Sequence, residues 1–229
     1  MAILNLPVTV CYLDGSGSQH IRKGVAFSSR GALDILDQTR LPESVVRMHL
    51  ATPQEVFDAI KRLCVRGAPA IGCASAVGLA VCAARFEETN DAAFRDRLRK
   101  TAAFLKSARP TAVNLMWAVD RCCAAVAGLS RPADICQRLL DEALDIIEED
   151  SRLCRRIGDF GAELLKDGMT VLTHCNAGAL ATCGMGTALA PVYRAMEQGK
   201  RIRVYSDEAR ASSQAVSRAP WRSGRVSSE

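Results

Sequence analysis

Hydrophobic and polar positions change their spacing twice along this chain. Over residues 7–50 they alternate and turn. "VTVCYLDGSGSQHIRKGVAF" sets a DGSGS turn between two β-prone runs and predicts a hairpin, and "ALDILDQTRLPESVVRMHL" predicts two further short strands. At Thr52 the spacing becomes helical. Thr52-Pro53-Gln54-Glu55 is a capping box with proline at the first helical position. Val56, Ala59, Ile60, Leu63 and Cys64 follow at i, i+3, i+4, i+7 and i+8, so an amphipathic helix is expected to run to Gly67. Further helices are expected over about 69–86 and 91–107, from "ARPT" to about 127, and over about 133–165 with a break near Gly158. "MTVLTHC" (169–175) then reads as a strand, 178–198 as a helix packed with small residues, and "RIRVYSD" (201–207) as a second strand. Strand, helix, strand is the opening of a parallel sheet.

The expected fold class is therefore α/β. A small β-rich cap (1–52) precedes a helical domain (53–167) and the start of a Rossmann-like parallel sheet (168–208). A parallel sheet needs both faces covered, which two strands cannot arrange. The last 21 residues hold six serines, four arginines and no Leu, Ile or Phe, so they supply no further repeat and read as a disordered tail (209–229). The sheet is expected to be incomplete and the second domain cut short.

Composition narrows the class. Apolar residues make up 48% of the 229 and charged residues 24%, the balance of a soluble globular protein. The net charge is +5, with basic residues gathered toward the C-terminal end and no aromatic-interleaved basic stripe, which argues against nucleic-acid binding. Ten cysteines occur without a C-x-x-C pair or zinc-like spacing, as expected for reduced, buried thiols of a cytoplasmic protein. The N-terminus lacks a basic n-region and a cleavage site, so no signal peptide is expected. Residues 67–84 carry no charge but are mostly Ala, Gly, Ser and Cys, which fits a buried helix better than a membrane span.

Three segments carry candidate chemistry. In "VRGAPAIG" (65–72), Arg66 stands beside a helix start whose first N–H groups lack internal partners, and Gly67 allows close approach to the backbone. That is an anion site, or else an ordinary helix junction with a glycine cap. "ARPTAVN" (108–114) repeats the device with Arg109, which otherwise is a solvated surface charge. Two such elements suggest one phosphate held from two sides. The strand 169–175 ends at His174, Cys175 and Asn176, and ligands of open parallel sheets bind beyond that end. Cys175 is thus a candidate proton carrier or a small core residue, and Asp207 and Glu208 end the next strand.

"ILDQTRLP" (35–42), "VRGAPAIG" (65–72), "RPTAVNL" (109–115), "LTHCNAGALAT" (172–182) and "VYSDEAR" (204–210) together resemble the methylthioribose-1-phosphate isomerases of methionine salvage. These belong to the wider initiation factor 2B alpha/beta/delta-like family. That family also holds ribose-1,5-bisphosphate isomerases and regulatory subunits of a translation-initiation guanine-nucleotide exchange factor. The resemblance implies an aldose–ketose isomerase that converts 5-methylthioribose 1-phosphate to 5-methylthioribulose 1-phosphate. It implies Cys175 as the catalytic cysteine, and Arg66, Gly67, Ala68, Arg109 and Gln214 as contacts to substrate. It implies a small-molecule sugar phosphate as partner, with no metal or organic cofactor, no nucleic acid and no membrane; a family-like homodimer is in question without the C-terminal region. After Asp207 this chain departs from the pattern. Gln214 and Trp221 keep register, but the family's later catalytic aspartate and substrate-binding lysine have no counterpart. The resemblance therefore implies an isomerase lineage and a chain expected to lack turnover, the alternative being a non-catalytic regulatory subunit.

Overall fold

In the computed structural model, residues 6–207 are described. Strands β1 (Val10–Leu13), β2 (Gln19–His20), β3 (Ala32–Leu36) and β4 (Arg47–Leu50) form an antiparallel sheet in the order β2-β1-β3-β4. The DGSGS hairpin forms as expected. The Asp14 carboxylate accepts from the Ser16 and Ser18 amides at 2.8 and 3.0 Å, and Gly17 takes a left-handed φ of 90°. One face of this sheet carries Val10, Tyr12, Leu33 and Ile35 into the main core. The other face buries Asp34 completely, held by Arg47 Nε at 2.9 Å and by the Cys11 thiol at 3.3 Å.

Five helices follow: α1 (Pro53–Lys61), α2 (Ala68–Ala83), α3 (Asp91–Lys106), α4 (Val113–Ala125) and α5 (Pro132–Leu164). The uncharged stretch at 67–84 is α2, which lies at the centre of the molecule, buried from Ala70 to Ala83. It packs on α1, α3, α4, α5, β1 and β3, and its glycines admit close neighbours. A Cβ on Gly78 would meet Val56 of α1 at 2.7 Å, and one on Gly72 would meet the Asn114 carbonyl of α4 at 3.0 Å. No helix among the described residues is long and apolar enough to cross a membrane.

Helix α1 stops six residues before Gly67. Leu63 takes a left-handed φ of 63°, Cys64 N–H donates to the Ala59 carbonyl and Leu63 N–H to that of Ile60. This is a Schellman cap with leucine at the usual glycine position, and it directs Leu63 and Cys64 off the helix. Helix α5 runs unbroken for 33 residues, about 50 Å at the standard rise. Gly158 does not break it, because the glycine serves packing. A Cβ there would lie 3.1 Å from the Ala190 carbonyl of α6 (Ala190–Glu197).

Beyond α5, β5 (Thr170–His174) and β6 (Arg203–Asp207) pair in parallel, Thr170 opposite Arg203 and His174 opposite Asp207. The expected parallel unit is present, but the helix expected over 178–198 is not. Only α6 is helical apart from a single 3-10 turn at Ala179–Ala181. Thr182 Oγ1 accepts from the Gly184 and Gly186 amides, both at 3.1 Å, so a side chain takes the donors a helix would need. Gly186 is left-handed at φ 94°, and Thr187 N–H returns to the Ala177 carbonyl at 2.9 Å. The segment is a compact loop, and Cys183 lies in that loop, not on a helix.

Candidate functional site

Three stretches far apart in sequence meet at the start of α2. Gly67 precedes the helix at φ 86°, a conformation that suits glycine. A Cβ on Gly67 would lie 2.4 Å from Cα of Ala181, so the 3-10 turn 179–181 rests directly against it. The sequence reading gave that space to a ligand; the structure gives it to the chain itself. The β-sheet cap then pins the same turn. Gln38 Nε2 donates to the Leu180 carbonyl at 2.7 Å, and Thr9 Oγ1 donates to that of Ala179 at 3.2 Å. Gln38 N–H in turn donates to the Cys64 carbonyl at 2.9 Å, beside Arg66. The quoted segment 35–42 contains Gln38, yet its bond is to a residue 142 positions away, which no local pattern reveals.

Arg66 is partly buried, and its Nε is fully buried with no hydrogen-bond partner. A buried unpaired guanidinium N–H is costly unless an acceptor completes it. No side chain caps α2, and Ala68 at its first position is exposed. The start of α4 is likewise uncapped by any side chain, and the Gly72–Asn114 approach brings the first turns of α2 and α4 together. Arg109, partly buried, precedes α4 by four residues, and its carbonyl accepts from Ala112 N–H at 2.9 Å. Two helix starts without side-chain caps therefore lie close together, each with an arginine shortly before it in sequence.

Cys175 ends β5 in a left-handed conformation, φ 70°, and is exposed. A non-glycine residue there carries strain on the order of 1–2 kcal/mol. Asn176 follows with a buried Nδ2 that lacks a partner, as does Thr173 Oγ1 on β5. His174 is exposed. Gln214, Trp221 and Glu208 lie outside the described residues. Two surface concavities lie elsewhere, one lined by Gln19 to Val25 and one by Phe27, Phe86, Phe94 and Pro132 among others. Neither includes Arg66, Arg109 or Cys175, so the site is located by its chemistry and not by depth.

Comparison with known proteins gives the family of the chain. Residues 64–219 match the model of the Initiation factor 2 subunit family. The chain is 47% identical over 193 residues to the 5-deoxyribose 1-phosphate isomerase of Moorella thermoacetica, covering 83% of this chain and 55% of that protein. It is 44% identical over 207 residues to the methylthioribose-1-phosphate isomerase of Rhodopirellula baltica, covering 89% and 58%. Among solved structures it is similar to the 5-methylthioribose 1-phosphate isomerase of Pyrococcus horikoshii OT3. There the TM-score is 0.78 at 36% identity, over 92% of this chain and 55% of that one. It is also similar to the translation initiation factor eIF-2B, subunit delta, from A. fulgidus, with a TM-score of 0.73 at 44% identity, covering 81% and 54%. The chain spans about half the length of the curated relatives it matches. With more than half of its residues under the family model and the fold shared, the chain belongs to the Initiation factor 2 subunit family.

Proposed function

We propose that the chain binds a pentose 1-phosphate and descends from aldose–ketose isomerases acting on such sugars. The observation that carries this reading is the buried, partnerless Nε of Arg66 beside the uncapped start of α2. A phosphate oxygen completes that N–H, and Arg109 and the amides at Gly67 and Ala68 supply charge and further donors. Gln214 belongs to the same reading as a further substrate contact. The relatives' names give two substrates, a 5-deoxyribose and a 5-methylthioribose 1-phosphate. The two share the phosphate and differ by a methylthio group at C5. A pocket fitted to one discriminates against the other by about 1–3 kcal/mol, the usual worth of a small apolar group.

Isomerisation moves a hydrogen from C2 to C1. The C2 hydroxyl becomes a carbonyl and gives up its proton, the ring C1–O bond opens, and the ring oxygen takes a proton. Such traffic needs two groups. Cys175, exposed at the carboxyl end of β5, is the one we assign, as a thiol able to give or take a proton at the C1–C2 edge. The strain in its backbone suits a residue held for function.

Labelling tests the reading. Iodoacetamide should modify Cys175 faster than the buried Cys73 and Cys82, and either sugar phosphate should slow that modification while leaving Cys183 unaffected. Lack of protection would return Cys175 to a structural role. The expected companion result is binding without turnover; turnover would assign the second proton to Asp207 or Glu208. The likeness to an archaeal initiation-factor subunit supports a second reading, a non-catalytic regulatory chain. That reading predicts no sugar-phosphate protection at all.

A further inference from the structure

A second group of side chains lies behind the 175–189 loop and takes no part in the site above. Cys73 from the second turn of α2, Asp150 from the middle of α5 and Cys183 from the loop converge, with their ligand atoms all within 4.8 Å of one another. Linear spacing hides the group, because each donor comes from a different element. Cys73 is buried, while Asp150 and Cys183 are partly exposed. Cys154 of α5 stands alongside, its Sγ 3.9 Å from Asp150 Oδ1.

Asp150 is the informative member. Its carboxylate accepts from the Cys183 amide at 2.6 Å and from the Cys154 thiol, and no Lys or Arg pairs with it among the described residues. Burial pushes its carboxyl up from the usual value, and the Cys183 thiol is raised well up by its bond with Cys73 and by burial. A partly buried carboxylate with no cationic partner, facing two thiols, lacks one positive charge. Tetrahedral zinc places thiolate and carboxylate donors about 3.5–3.8 Å apart, so these side chains need close by only about 1 Å.

We propose that Cys73, Asp150 and Cys183 form a binding site for a thiophilic divalent cation of the Zn²⁺ type. Binding replaces the two thiol protons, which pass to solvent, with two metal–sulfur bonds and one metal–oxygen bond. The fourth position is filled by Cys154 or by solvent. The ion ties the 175–189 loop to α2 and α5, the helices that flank the candidate anion site and β5.

Cobalt(II) is the probe. Added to the reduced chain, one equivalent should give thiolate-to-cobalt absorption in the near ultraviolet and the intense visible bands of tetrahedral geometry, and Zn²⁺ should abolish both. Cys183→Ala should lose these bands, whereas Cys175→Ala should keep them. Labelling of the unmodified chain gives a check independent of any variant's folding. Zn²⁺ should slow alkylation of Cys183 at least tenfold and leave Cys175 unchanged. Absence of the thiolate band in the reduced wild-type chain overturns the proposal. So does a band undiminished in Cys183→Ala, or equal alkylation of Cys183 with and without Zn²⁺.

Discussion

Gly67 is the position where a single carbon atom decides most. Its left-handed φ and the 2.4 Å approach of Ala181 leave no room for a side chain. Gly67→Ala should therefore cost about 1–3 kcal/mol of stability, from the strained φ alone. Displacement of the 179–181 turn should weaken ligand binding as well. Denaturant melts with and without sugar phosphate check both. Asp150 carries a pH signature. Burial raises its carboxyl, so the folded state favours the protonated acid. That contribution is complete below the unfolded-chain value of 3.8 and is lost as pH rises through the folded value. Asp150→Asn, still able to accept from Cys183 N–H, should flatten the wild-type loss of stability that sets in as pH rises above 3.8 in metal-free buffer. An unchanged pH profile would contradict this. The sequence offered Arg66, Arg109 and Cys175 as candidates, since a charge before a helix start and a thiol at a strand end are local patterns. It hid Asp34, Gln38 and the Cys73 group, whose partners come from other elements.

Elements were legible where capping and period agreed. The Thr52–Glu55 box is present, with Glu55 N–H donating to Thr52 Oγ1 at 3.3 Å and Thr52 N–H to Glu55 Oε2 at 2.9 Å. Thr52→Ala should cost about 1 kcal/mol, read as a lower denaturant midpoint at unchanged slope. The failures share one cause, backbone groups satisfied by something other than the next turn of helix. At α1 the Schellman bonds end the helix through a leucine. At 178–189 a threonine hydroxyl and a left-handed Gly186 turn an apolar, small-residue run into a loop. At Gly158 the reverse holds, because a residue suited to breaking a helix instead admits α6.

Across the whole molecule, cover is uneven. The helical body encloses α2 on several sides, while Leu172 and Tyr205, opposite each other on β5 and β6, are 74% and 64% exposed. Leu153, Ile157, Phe160 and Leu164 form an exposed apolar stripe along the second half of α5. Few buried contacts mean low local stability. Amides of 169–207 should therefore exchange faster than those of 53–127. Val171 and Val204, the neighbours of Leu172 and Tyr205 on the two strands, are only partly covered, unlike the helical core. Exposed apolar surface of this kind also favours association. Sedimentation should show concentration-dependent self-association, reduced by Leu172→Lys or Phe160→Glu; ideal monomer behaviour at every concentration would contradict it.

The most direct test of the anion site is calorimetric titration of 5-deoxyribose 1-phosphate into the reduced chain and into Arg66→Ala. The site predicts saturable binding at one ligand per chain. Removing one charge-assisted contact worth about 1.5–3 kcal/mol should weaken it roughly 10- to 200-fold. Absence of saturable binding, or equal affinity in the two proteins, would contradict the assignment of Arg66 to a phosphate.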